Sequence, residues 1–167
     1  GLAASGAACA GGFGAAAPRG GTPYYRRGAR SIAAYSPKPV HVMRGNHVGP
    51  EYAEYFGHAD RAVFTENFTF IMLDNSERRF SDDTLRFFWE TMALSETRNI
   101  IVSFHIPPPN RISGDSLSTA EWNRFEDAVG VWRNRICLML CGHAHTYFED
   151  EVDGIRLVVT GGGGANI

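Results

Sequence analysis

Ile100-Ile101-Val102-Ser103-Phe104-His105-Ile106-Pro107-Pro108-Pro109 is the stretch on which the fold turns. Its first five residues form a short, mostly apolar run rich in β-branched types, the signature of a buried strand. The prolines cannot continue a ladder, so the strand ends by delivering His105 to its carboxyl edge. Downstream, Ser118-x-x-Glu121 is a capping-box pattern opening a helix that presents Trp122, Phe125, Val129 and Trp132 along one side. Ile136–Leu140 is the next buried strand, and it runs into Cys141-Gly142-His143-Ala144-His145. Upstream, Ser81 caps a helix over 82–94 with Leu85, Phe88, Trp89 and Met92 at i, i+3, i+4 and i+7. Before it, the strand 68–73 ends in the turn-prone Asp74-Asn75-Ser76, and the run Val40, Val42, Met43 stops at Arg44-Gly45-Asn46-His47. Strands over 146–152 and 155–160 close the pattern, joined by Asp153-Gly154, a type I′ hairpin signal. Buried strands alternating with amphipathic helices define a layered α/β domain.

The chain has 167 residues, enough for one domain with a real core. With 44% hydrophobic and 20% charged residues its usage is that of a globular protein. A net charge of −2 gives no reason to expect nucleic acid or an anionic membrane as the main partner. Charges or glycines interrupt every apolar run, so no membrane span is expected. Three cysteines do not make a disulfide framework. The composition is uneven. Residues 1–40 hold 8 Gly and 11 Ala, five Lys/Arg and no acid, whereas residues 41–167 carry all 18 acidic residues. We read 1–37 as a flexible Gly/Ala-rich arm and 38–167 as the domain. The arm has no initiating Met, basic leader or Leu/Val/Ile-rich centre, so no secretory signal is assigned and the compartment stays open.

Three strand ends deliver histidine: His47, His105, and the pair His143 and His145. In an open α/β sheet the carboxyl ends of strands line the crevice where ligands bind, so these distant segments can converge. Neutral imidazole is a common metal ligand, and Asn46 adds a carbonyl oxygen. Glycines before Asn46 and His143 let the backbone turn so that the ligand points inward. His143 and His145, at i and i+2, share a face if extended. His41 and His58 are read as structural or surface residues.

Arg44-Gly45-Asn46-His47, then Val102 to Pro108, then Cys141-Gly142-His143-Ala144-His145, in that order, resemble the last three motifs of the calcineurin-like metallophosphoesterases. The resemblance covers about residues 38–165. It implies an αββα sandwich, here incomplete on its N-terminal side, with two divalent metal ions (Mn, Fe or Zn) at the sheet ends. It also implies hydrolysis of a phosphomonoester or phosphodiester substrate by attack of metal-bound hydroxide. By position, Asn46, His105 and His143 match ligands of one ion and His145 a ligand of the other. His47 matches the histidine that meets the phosphate and assists the leaving oxygen, a role suited to an imidazole near neutral pH.

The family's opening motifs, Asp-x-His and Gly-Asp-x-x-Asp, are not found, and residues 1–59 contain no aspartate. Val48 stands where the family places an acid after Gly-Asn-His. One ion therefore keeps three candidate ligands and the other one. Glu51 and Glu54 have the spacing to substitute, and nothing selects them. The chain reads as the C-terminal part of a longer enzyme or as a degenerate member. Two rival functions stay open: a non-catalytic interaction scaffold, and a mononuclear zinc protein using His105, His143 and His145. Arg111 is read as a solvated loop residue, Cys141 as a small buried hydrophobe, and the glycines at 161–164 as a flexible turn or tail.

Overall fold

The structure, a computed structural model, describes residues 34–161 together with 7–9, 26, 29 and 30. The rest of the expected N-terminal arm and the glycines at 162–164 lie outside the described residues. Its strands are β1 (Ala7–Cys9), β2 (Val40–Val42), β3 (Arg61–Phe64), β4 (Thr69–Leu73), β5 (Ile100–Phe104), β6 (Ile136–Cys141), β7 (Tyr147–Val152) and β8 (Ile155–Thr160). The helices are α1 (Tyr52–Phe56), α2 (Asp82–Leu94) and α3 (Thr119–Val129), followed by a 3-10 turn over Gly130–Arg135. A six-stranded sheet runs β3-β4-β5-β6-β8-β7. Its four inner strands are parallel, and β3 and β7 pair antiparallel at the edges. This is the expected α/β class. A second sheet holds β1 and β2 in parallel, so three residues of the arm are tied to the domain.

The two serine caps act as expected. Ser81 accepts from the Thr84 amide at 3.0 Å and Ser118 from the Glu121 amide at 3.2 Å. The reciprocal half of the capping box is absent. The Glu121 carboxylate turns away to accept the Phe80 amide at 2.7 Å, which joins α3 to the loop before α2. The buried face of α2 also differs from expectation, being Thr84, Phe88, Thr91 and Met92. Trp89 is 41% exposed and meets Trp132 edge-on. Thr84 can face inward because its hydroxyl donates to the Asp60 carboxylate at 2.9 Å.

α2 and α3 cover one face of the sheet. Phe80, Phe88, Phe104 and Phe125 are closed off there, with Phe80 stacked on Phe125 at 4.7 Å between centroids. Between β5 and β6 the register shifts, pairing Ile100 with Ile136 but Ile101 with Leu138. Cys137 is the extra residue of this bulge. Without it, Ile136 and Met139 would point to opposite faces; with it, both join Cys141 in the core. On the opposite face Ser103 donates to the Met43 sulfur at 2.7 Å, which lays the segment after β2 over the end of β5. The Asp153-Gly154 turn takes φ of 51° and 79°, as its sequence requires.

Candidate functional site

Parallel strands share a direction, so β4, β5, β6 and β8 release Asp74, His105, Gly142 and Gly161 along one rim. Asn75, fully buried, stitches two of these exits together. Its Oδ1 accepts from the His105 and Ile106 amides, both at 3.0 Å, and its Nδ2 donates to the Ile106 carbonyl at 2.8 Å. The next exit is tied in by the Gly142 amide, which donates to the His105 carbonyl at 3.0 Å. Sequence reading took Asn75 for a turn residue; the signal it carried was a side chain with both donor and acceptor beside a proline-terminated strand. Asn75→Ala orphans two buried amides and a carbonyl, so a loss on the order of 2 kcal/mol is expected in denaturant unfolding. His105 would also lose its fixed position.

Three of the expected donors meet. His105 Nε2 lies 3.0 Å from Asn46 Oδ1 and 3.3 Å from His143 Nδ1. The two rings sit 5.1 Å apart, edge to face. His105 Nδ1 is buried without a partner among the described residues, so Nε2 is the ring's one polar outlet. His47 is exposed in the turn closed by the Val48 amide on the Gly45 carbonyl at 3.0 Å. It is near enough to repel a charge on His105, as is His145. His145 makes no side-chain hydrogen bond to another described residue. Val48 packs with Val42 and Tyr52, and Glu54 is exposed on α1.

The loop after β6 departs from the extended form considered above. His143 and His145 take φ of 66° and 49°, left-handed conformations that cost a non-glycine residue roughly 1–2 kcal/mol each. The histidines themselves make the turn, and the glycines before Asn46 and His143 do not have positive φ. Gly161, expected in a flexible turn or tail, is packed against this loop. A Cβ there would stand 2.4 Å from the His145 nitrogen and 2.7 Å from its Cα. Its amide donates to the Thr146 carbonyl at 2.9 Å, so the end of β8 supports the loop from behind.

Two residues that sequence reading missed complete the site. Asp115 Oδ1 is 3.0 Å from His143 Nε2, and Arg78 NH2 is 3.1 Å from the same nitrogen. Arg78 also holds Asp115 at 2.8 Å. No sequence signal marks them, because both sit in irregular loops. Arg111 is an exposed loop residue, as read from the sequence, and it has a further role. Its guanidinium and its amide both donate to Asp150, whose side chain is 1% exposed, and these bonds hold the carboxyl at about 2. Cys141 is buried as expected, and burial pushes its thiol well up.

Burial disfavours a charge on two of the imidazoles, His105 and His143. Burial, then the neighbouring histidines, lower His105 to about 4, with Asp74 opposing. Burial also lowers His143, against the pull of Asp115. Because His105 is depressed below its ordinary 6.5, the unfolded chain binds more protons between those values. Stability of the metal-free protein should therefore be full above pH 6.5 and fall as pH drops toward 4. Urea midpoints across that range check this, and His105→Gln should flatten the profile.

These donors suit a divalent cation. Ligand atoms about 2.0–2.1 Å from a tetrahedral ion stand about 3.3–3.4 Å apart, close to the separations seen. Among the described residues no group of three or more His, Cys, Asp or Glu could hold a metal ion; the oxygen beside the two imidazoles is the Asn46 side-chain amide, 3.0 Å from His105 Nε2.

The chain is similar to a solved dimetal phosphatase from Danio rerio. Identity is 14% and the TM-score 0.56, over 81% of this chain and 66% of that one. The two share a fold. It is equally similar to GAP50, the anchor in the inner membrane complex of Plasmodium, at 13% identity and TM-score 0.55, over 74% of this chain and 49% of that one. The chain thus spans about half the length of GAP50 and about two thirds of that of the dimetal phosphatase. No protein-family model and no curated protein matches it. No helix among the described residues is long and apolar enough to cross a membrane.

Proposed function

We propose that the chain is a metal-dependent phosphoester hydrolase domain, acting on a phosphomonoester or phosphodiester. The observation that carries this reading is the approach of Asn46 Oδ1 and His143 Nδ1 to His105 Nε2, at 3.0 and 3.3 Å. Asn46, His105 and His143 would hold one divalent ion tightly. His145, with no partner donor, would contribute to a second and weaker one. A bound divalent ion supplies Lewis-acid charge for phosphoryl oxygens and acidifies water. The chain supplies the rest. Buried neutral rings offer lone pairs rather than protons, and Asn75 fixes the direction of His105. His47, exposed beside them, is placed to assist a leaving oxygen.

A second reading, a scaffold that kept the fold without the chemistry, is favoured by Val48, which is buried against Val42 and Tyr52 where an acid would orient His47. Metal content and turnover separate the two. The chain, stripped with chelator and titrated with Zn²⁺ or Mn²⁺, should bind one ion tightly and then hydrolyse p-nitrophenyl phosphate or its bis ester. No ion and no turnover would leave the scaffold.

A further inference from the structure

His143 Nε2 faces two neighbours of opposite character. Asp115 Oδ1, at 3.0 Å, can only accept once ionised, and Arg78 NH2, at 3.1 Å, can only donate. Nε2 cannot satisfy both. If it carries the proton it donates to Asp115, and Nδ1 turns a lone pair toward His105 Nε2, 3.3 Å away. If it accepts from Arg78, the proton moves to Nδ1 and points an N–H at the place where the donors meet. We infer that Asp115, held by Arg78, is a positioning residue that sets the tautomer of His143 and so keeps Nδ1 open as a ligand atom.

The arrangement around it supports that role. Arg78 donates to Asp115 Oδ1 at 2.8 Å and to the Ser116 carbonyl at 3.3 Å, so the guanidinium braces the backbone that carries the carboxylate. It does so from a left-handed φ of 59°, a conformation a non-glycine residue keeps only where its surroundings hold it. Arg78 and Asp115 are each about half exposed, at 51% and 53%, so their ion pair adds little stability. His143, by contrast, has a side chain only 6% exposed, so its ring has few other partners from which to choose a tautomer. Outer partners of this kind fix ring orientation and ligand basicity at metal sites. The purpose assigned to the tautomer rests on the metal reading above; the tautomer itself does not.

The test uses the full chain, ¹⁵N-labelled and metal-free at pH 7.5, with ring nitrogens read by long-range ¹H–¹⁵N correlation and His143 assigned from a His143→Gln spectrum. Wild type should show the Nε2–H form. Asp115→Ala should shift His143 toward Nδ1–H, because Arg78 is then the neighbour left at Nε2. Asp115→Asn should restore Nε2–H, since its amide oxygen still accepts. Adding Arg78→Ala to Asp115→Ala should return the ring toward Nε2–H by removing the competing donor. Zn²⁺ alone should bind Asp115→Ala about 10–100-fold more weakly than wild type. An Nδ1–H ring in wild type, or an unchanged tautomer in folded Asp115→Ala, overturns the assignment. A tautomer that follows these substitutions in a chain that binds no Zn²⁺ supports Asp115 and refutes the metal reading instead.

Discussion

If the proposed metal site is right, His105→Ala should abolish tight binding of a divalent ion and, with it, phosphoester hydrolysis. The ring is the hub of the site: both recorded donor contacts, to Asn46 at 3.0 Å and to His143 at 3.3 Å, run through its Nε2. Losing an outer partner of a ligand costs about 10–100-fold in metal affinity, and losing the shared ligand must cost more. Alanine also removes a group whose lone pair is available because burial keeps it neutral, at about 4. The backbone need not move, since Asn75 grips the amide of residue 105 and not its side chain. Calorimetric titration with Zn²⁺ should therefore lose its tight phase while the thermal unfolding profile of the metal-free protein stays cooperative. Retained tight binding would show that the ion sits elsewhere.

Phe125→Ala should cost about 3–5 kcal/mol, the largest stability loss of any substitution considered. Its ring stacks on Phe80 at 4.7 Å and on Trp122 at 5.1 Å and lies within 6 Å of Phe88 and Phe104. It joins α3, the loop before α2, α2 itself and β5 in one aromatic cluster, so its removal leaves a cavity lined by several elements rather than one. Against a total stability of about 5–15 kcal/mol, that loss brings the fold near its threshold. Urea denaturation should show a lower midpoint with an unchanged slope. A change under about 1 kcal/mol would mean that the cluster collapses to fill the space.

Most of the frame was legible in the sequence for local reasons. β5 reads as a strand because an apolar β-branched run is cut by Pro107, and α2 and α3 start at Ser81 and Ser118 because each hydroxyl caps an amide three residues on. β3 was not legible. Arg61-Ala62-Val63-Phe64 has no alternating pattern of its own and becomes a strand by pairing with β4. The face of α2 was misjudged by about one position, because threonine counts as polar until a partner such as Asp60 is known.

The candidate ligands followed the same division. His105 and His143 could be named because each follows a strand of the parallel sheet, whose exits share one rim, and Asn46 because it stands in the turn after β2. Asp115 and Arg78 could not. They lie 28 and 65 residues before His143 in irregular loops, and only the folded rim brings them to its ring. Gly161 was misread for a related reason. A run of glycines looks loose, whereas the need for a bare Cα here comes from the His145 backbone approaching it.

X-ray absorption on the zinc-loaded chain tests the central claim most directly. Two imidazole nitrogens with their outer-ring scattering, plus light oxygen donors, at about 2.0–2.1 Å is the shell expected of His105, His143 and Asn46. That pattern should disappear in His105→Ala. A shell of oxygens alone, or one containing sulfur, would contradict the account.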